Sequence, residues 1–149
     1  MTQWPKPAEG SWTEHYPELG TGPISFRDSI SPEFYELERE AVFKRAWLNL
    51  CRVEDVPDVG SHILKEVEAA NAALILVRGH DNRIRAFHNM CRHRGAQVVQ
   101  GPGQADELVC RRSGWRYALD GSLIHIPNRD SFFGLDPADY GLREVPCDQ

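Results

Sequence analysis

The first stretch of the chain mixes Pro, Gly and polar side chains with no apolar period, which predicts an extended arm over 1–28. In "SISPEFYELEREAVFKRAW" the spacing becomes helical. Phe34, Leu37 and Ala41 recur at helical intervals, Ser31 can cap, and Pro32 suits a first turn, predicting a helix over 29–46. The pattern then shortens to strands: "WLNLCRV", "SHILKEV", "AALILVRG" and "RIRAFHNM", separated by the turn clusters "DVPDVG" and "GHDNR". "ALILV" is apolar throughout and reads as a strand covered on both faces. "ELVCR" and "WRYAL" are further strands, and "LDGSL" reads as a two-residue hairpin turn. The tail from "NRDSFFG" onward reads as loop with a last strand. Short strands without alternating helices predict an all-β sandwich of small antiparallel sheets carrying one N-terminal helix.

Composition adds bounds rather than detail. The 149 residues are 41% apolar and 26% charged, as in an ordinary globular domain, and suffice to bury roughly 70% of the unfolded surface. A net charge of −5 speaks against a nucleic-acid binder. No run approaches the ~18 apolar residues of a membrane span, and the N-terminus lacks a charged head followed by an apolar core. The expectation is a soluble, cytoplasmic protein with neither nucleic acid nor membrane as partner.

The chemistry sits with the cysteines. Cys51 follows an apolar run and reads as a small buried hydrophobe, and Cys147 has no evident partner. Cys91 and Cys110 lie in polar, turn-rich segments. Cys91 and His93 form a Cys-x-His pair, with Gly95 placed to tighten the turn. Cys110 is followed by Arg111, Arg112, Ser113, Gly114 and Trp115. Thiolate and imidazole together suit iron, zinc or copper. Taken alone, Cys91 and His93 also fit an ordinary buried thiol and a solvated histidine. Cys91, His93, Cys110 and a water would make an open zinc site. Trp115 reads as core beneath the loops, and His62, His80, His88 and His125 as structural or exposed.

"NMCRHRGA", "CRRSGWRYALDG" and the upstream "FKRAWLNLCRVEDVPDVGSH" resemble the N-terminal Rieske domain of ring-hydroxylating oxygenase α subunits, over nearly everything after residue 28. The family's second loop reads Cys-Pro-Tyr-His-Gly-Trp. Here Cys110, Gly114 and Trp115 are kept, while Arg111, Arg112 and Ser113 stand where Pro, Tyr and the ligand His are expected. Rieske proteins of cytochrome bc complexes add a cysteine to each loop, at positions that here hold Ala96 and Arg112, so the oxygenase branch fits better.

The resemblance implies a Rieske-like antiparallel β-sandwich over 47–149. It also implies a 2Fe-2S cluster held by Cys91 and Cys110 on one iron and His93 on the other, with Ser113 at the fourth position. A serine hydroxyl is a short, poor neutral ligand, so a weakened or absent cluster is expected. The implied partners are a ferredoxin or flavin reductase, with homo-oligomers within the family's range. Arg92, Arg94, Arg111 and Arg112 are either a solvated loop or the surface an acidic electron donor approaches. The implied role is electron transfer toward a mononuclear iron in a catalytic domain, in enzymes of aromatic hydrocarbon catabolism. The last histidine is His125, so that second iron site is expected to be absent and the chain to be an incomplete dioxygenase. The alternative is a degenerate Rieske fold without a cluster, serving as a structural or interaction domain.

Overall fold

The computed structural model describes residues 23–149, so most of the expected arm lies outside the described residues. The chain divides into two compact units between Glu38 and Arg39. In the first, residues 23–26 have no regular structure, α1 spans Arg27–Ile30 and α2 spans Pro32–Glu38. The single helix expected over 29–46 is interrupted at Ser31, whose ψ is 120°. The cause is Pro32: a proline ring clashes with a helical conformation in the residue before it. Ser31 instead caps α2. Its hydroxyl accepts the Phe34 N–H at 3.1 Å and donates to the Glu33 carboxylate at 2.8 Å. The second unit opens with one π-type turn, Arg39–Phe43, in which the Lys44 N–H reaches the Arg39 carbonyl at 3.0 Å. Helical structure therefore stops at Phe43, short of residue 46.

The rest of the second unit is the antiparallel sandwich. β1 (Ser61–Val67), β2 (Ala72–Arg78), β3 (Ile84–His88), β4 (Gly103–Gln104) and β8 (Glu144–Val145) form a sheet in the order β4-β1-β2-β3-β8. β5 (Leu108–Val109), β6 (Arg116–Tyr117) and β7 (Leu123–His125) form a second sheet. The long strands fall where the apolar pattern put them. Leu74 to Val77 in β2 are all buried, as a strand covered on both faces requires. Ile75, Val77 and Phe87 of the first sheet share one core with Leu108, Tyr117 and Leu123 of the second.

Two expectations are corrected. The segment 47–53 joins neither sheet, and in the five-stranded one β4 occupies the edge beside β1 and β8 the edge beside β3. Its apolar residues instead line a groove of about 580 Å³ with Leu76, Ala86 and the segment 145–149. Cys51 and Cys147 both lie in this groove. Cys51 is only half-buried and Cys147 is exposed. Burial pushes both thiols up, with Asp55 adding to the effect at Cys51 and Asp148 at Cys147. At both positions burial favours the neutral thiol. The second correction concerns the turn in "LDGSL", which has three residues rather than two. The Ala118 N–H bonds the Ser122 carbonyl at 2.9 Å, and Gly121, at φ +85°, closes the loop. A left-handed third residue makes a bulged hairpin. Only glycine fits there, since a Cβ would stand 2.5 Å from the Phe87 ring.

Candidate metal centre

Two turns of the same build face each other at one end of the sandwich. In the first, the Cys91 N–H bonds the Ala96 carbonyl and the Gly95 N–H bonds the Cys91 carbonyl, each at 2.8 Å. In the second, the Cys110 N–H bonds the Trp115 carbonyl at 2.9 Å and the Gly114 N–H bonds the Cys110 carbonyl at 2.8 Å. Gly95 (φ +75°) and Gly114 (φ +72°) take the left-handed conformation that closes each turn. Each turn therefore presents its leading cysteine inward. Cys91 and Cys110 are 1% and 0% exposed, and both are free thiols.

Both turns are anchored to the fold. Buried Asn89 fixes the first: its Nδ2 donates to the Val99 carbonyl at 2.8 Å, and its Oδ1 accepts the Val98 and Val99 N–H groups. The second is anchored by Trp115, 2% exposed. Burying such a ring removes ~150–250 Å² from water, a gross gain on the order of 4–6 kcal/mol. His93 stacks on that indole at 5.2 Å between centroids and 17° between planes, and Phe132 meets both rings edge-on. Arg129 holds the Phe132 carbonyl at 2.9 Å and also bonds the Leu135 carbonyl, so the tail read as loop is a fixed cover for the site.

Both sulfurs sit among donors. The Tyr117 hydroxyl accepts the Arg92 N–H at 3.0 Å, which directs its own hydrogen to Cys91 Sγ at 3.2 Å. Burial foremost, then Cys91, holds the Tyr117 hydroxyl well above its ordinary pKa, so it remains a donor. Burial pushes the Cys110 thiol up, but this is outweighed by hydrogen bonds from Ser113, Cys91 and the Arg112 backbone. Its pKa falls below the ordinary value. A buried thiol held toward thiolate by N–H and O–H groups is prepared for a metal.

The sequence-derived residues are thus brought together. Cys91, His93, Cys110 and Ser113 line one small cavity of about 20 Å³, along with Arg94, Ala96 and Arg112. Among the described residues no three His, Cys, Asp or Glu side chains converge to hold a single metal ion, so an open zinc site has no geometric support. A two-iron cluster does not need that convergence, because its thiolates and imidazoles bind different irons. The residues present fit such a cluster at three positions: a paired, donor-rich thiol set and, beside it, the His93 imidazole, whose nitrogens have no hydrogen-bond partner among the described residues. The fourth does not fit. The Ser113 hydroxyl accepts the Trp115 N–H at 3.3 Å and lies 3.4 Å from Cys91 Sγ. Tyr117 and Asn89 are the functional residues sequence reasoning missed. Tyr117 was visible only as part of the loop's register, and Asn89 as the last polar residue before the turn.

Two matched turns that bring buried cysteines together make a candidate metal centre. The profile of the Rieske [2Fe-2S] domain matches residues 46–146, and the chain belongs to that family. It is similar to the carnitine monooxygenase oxygenase subunit of Escherichia coli (strain K12), 32% identical over 103 residues, covering 68% of this chain and 27% of that protein. It is similar also to the 2-aminobenzenesulfonate 2,3-dioxygenase subunit alpha of Alcaligenes sp, 32% identical over 117 residues, covering 76% and 29%. Among solved structures, a quaternary ammonium Rieske monooxygenase, studied for carnitine oxidation by gut microbiota and inter-subunit electron transfer, superposes with a TM-score of 0.73. That match has 28% identity and covers 78% of this chain and 32% of the other. The chain therefore spans less than a third of the length of each of these relatives. No helix among the described residues is long and apolar enough to cross a membrane.

The Tyr117 contact yields a first expected result. An O–H···S bond is stronger on the more electron-rich sulfur of a reduced centre, so its loss disfavours reduction. Tyr117→Phe should lower the midpoint potential by about 1 kcal/mol, on the order of 40 mV for one electron. The orphaned Arg92 N–H should also cost ~1–3 kcal/mol of stability. Redox titration and melting together check this, and an unchanged potential in a folded, iron-loaded variant contradicts it.

Proposed function

We propose that this chain is the electron-transfer domain of a Rieske-type oxygenase α subunit. It takes electrons from a ferredoxin or flavin reductase and passes them toward a mononuclear iron site of a catalytic domain. The observation that carries this reading is the pair of buried, donor-surrounded thiols on two matched turns, with the His93 ring beside them. When bound, the cluster supplies reversible one-electron storage; the protein supplies thiolates, donors and exclusion of water. The relatives named above include a carnitine monooxygenase and a 2-aminobenzenesulfonate dioxygenase, so the reading is oxygenase-type rather than tied to aromatic rings.

Arg92, Arg94, Arg111 and Arg112 take part in no ion pair among the described residues. In a chain of net charge −5, the exposed Arg94, Arg111 and Arg112 put positive charge on the two turns, suited to an acidic donor protein, while Arg92 is part-buried over the Tyr140 ring. Ser113 favours a second reading, a degenerate fold without a cluster that acts as an interaction domain. Stepwise anaerobic reduction separates the two. The first reading expects reversible uptake of about one electron per chain; no uptake leaves the second.

A further inference from the structure

The outer face of the five-stranded sheet carries the two cysteines that the metal centre does not use. Leu76, Ala86 and Val145 stand opposite one another across β2, β3 and β8, on the face turned away from core residues Ile75 and Phe87. With Ile84, two residues along β3, they line the groove of about 580 Å³. Cys147 follows Val145 by two residues, the interval that returns a side chain to the same face of an extended chain, and it too lines the groove. Cys51 lines it from the crossing segment 47–53. Arg78, the residue opposite Ile84, holds the chain just beyond that cysteine. Its guanidinium donates to the Val53 carbonyl at 3.3 Å and the Val56 carbonyl at 2.6 Å. The two cysteines thus enter one groove from two separate segments at the Ile84 end of the sheet, close enough for the Cys147 charge to act on the Cys51 thiol. Among the described residues no backbone hydrogen bond fixes residue 51 or residue 147.

We propose that Cys51 and Cys147 form an oxidation site that closes as a disulfide, clasping the 47–53 segment to the chain beyond β8. The site is independent of the cluster. Cys91 and Cys110 lie in the core, on the other face of the sheet, and are not exchange partners for it. The oxidant class is a hydroperoxide. The exposed Cys147 sulfur attacks a peroxide oxygen and the O–O bond breaks, giving a sulfenic acid and, with the thiol proton, water. The Cys51 sulfur then attacks that sulfur. The S–S bond forms, the S–O bond breaks, and hydroxide leaves with the Cys51 proton as water. Two thiols and one hydrogen peroxide become one disulfide and two waters. Because burial favours the neutral thiol at both positions, closure is slow, and the closed form resists reduction, a thiol of high pKa being a poor leaving group. A disulfide holds its Cα atoms about 4–7 Å apart, so the clasp also narrows the groove.

The test treats the full chain with hydrogen peroxide, blocks remaining thiols without reduction, and maps the cysteines by peptide mass spectrometry. The expected product is one pair of peptides joined through Cys51 and Cys147, separated again by a strong thiol reductant. The link encloses roughly 100 residues of chain, so the oxidised protein should melt on the order of 10 °C above Cys147→Ser treated the same way. Cys51→Ser should leave Cys147 to proceed to sulfinic acid, since nothing traps the sulfenic acid. In the unaltered chain, Cys147 as sulfinic acid beside a free Cys51 overturns the proposal. So does a Cys147–Cys147 link between two copies, a Cys51 link to Cys91 or Cys110, or full retention of both thiols.

Discussion

Replacing Cys110 by alanine is expected to abolish the visible absorption of the protein and to reduce its iron from about two per chain to near zero. Cys110 is fully buried, its thiol is favoured as thiolate by hydrogen bonds from Ser113, Cys91 and the Arg112 backbone, and it is one of only two sulfurs at the site. Removing it leaves Cys91 alone, and a single thiolate does not hold two irons. The fold should survive, because the deletion removes one buried atom, at a cost of about 1 kcal/mol. Cys147→Ala is the matched control, since that thiol is exposed in the groove and should keep full colour. Colour that outlasts the loss of Cys110 overturns the ligand assignment.

Ser113→His carries the second large effect, and its sign differs between the apo and loaded protein. Without metal, the variant loses the hydroxyl that accepts the Trp115 N–H, a cost of ~0.5–1.5 kcal/mol. With metal, the missing imidazole is restored on a turn already held by Gly114 against Pro127. A ligand that binds only the folded form stabilises it, so a tenfold gain in retention adds about 1.4 kcal/mol. That corresponds to a rise of ~3–6 °C in melting temperature for a chain of this size. Adding Arg111→Pro and Arg112→Tyr should extend the gain. The Arg112 N–H that serves the Cys110 sulfur survives in that variant, and the Arg111 N–H removed by proline has no partner among the described residues. The measurement is iron remaining after timed dilution into chelator, beside melting of apo and loaded forms. Equal iron loss in all three proteins contradicts the expectation.

The parts legible in the sequence were those written locally. β1 and β2 each carry their own apolar run, and each cysteine turn carries its own glycine, so both strands and the meeting of Cys91 with Cys110 followed from short stretches. The 47–53 segment misled because an apolar run does not report whether a ladder edge is free, and here Trp47, Leu48 and Val53 stay exposed. Here β4 and β8 had taken both edges. The helix was overextended at both ends: the period of Phe34, Leu37 and Ala41 says nothing of the break that Pro32 imposes on Ser31 ahead of it, or of the stop at Phe43. Tyr117 as a sulfur donor, Arg129 holding the tail, and the inward turn of the Ser113 hydroxyl were not legible. Each joins residues distant in sequence or depends on a rotamer that only the packed loops decide.

The central claim is that two matched turns with three family ligands still hold an iron–sulfur cluster despite Ser113. Iron and acid-labile sulfide, measured per chain on protein purified without oxygen, test it most directly. The account predicts about two of each, in equal amounts. Iron and sulfide near zero, or a single zinc without sulfide, contradicts it.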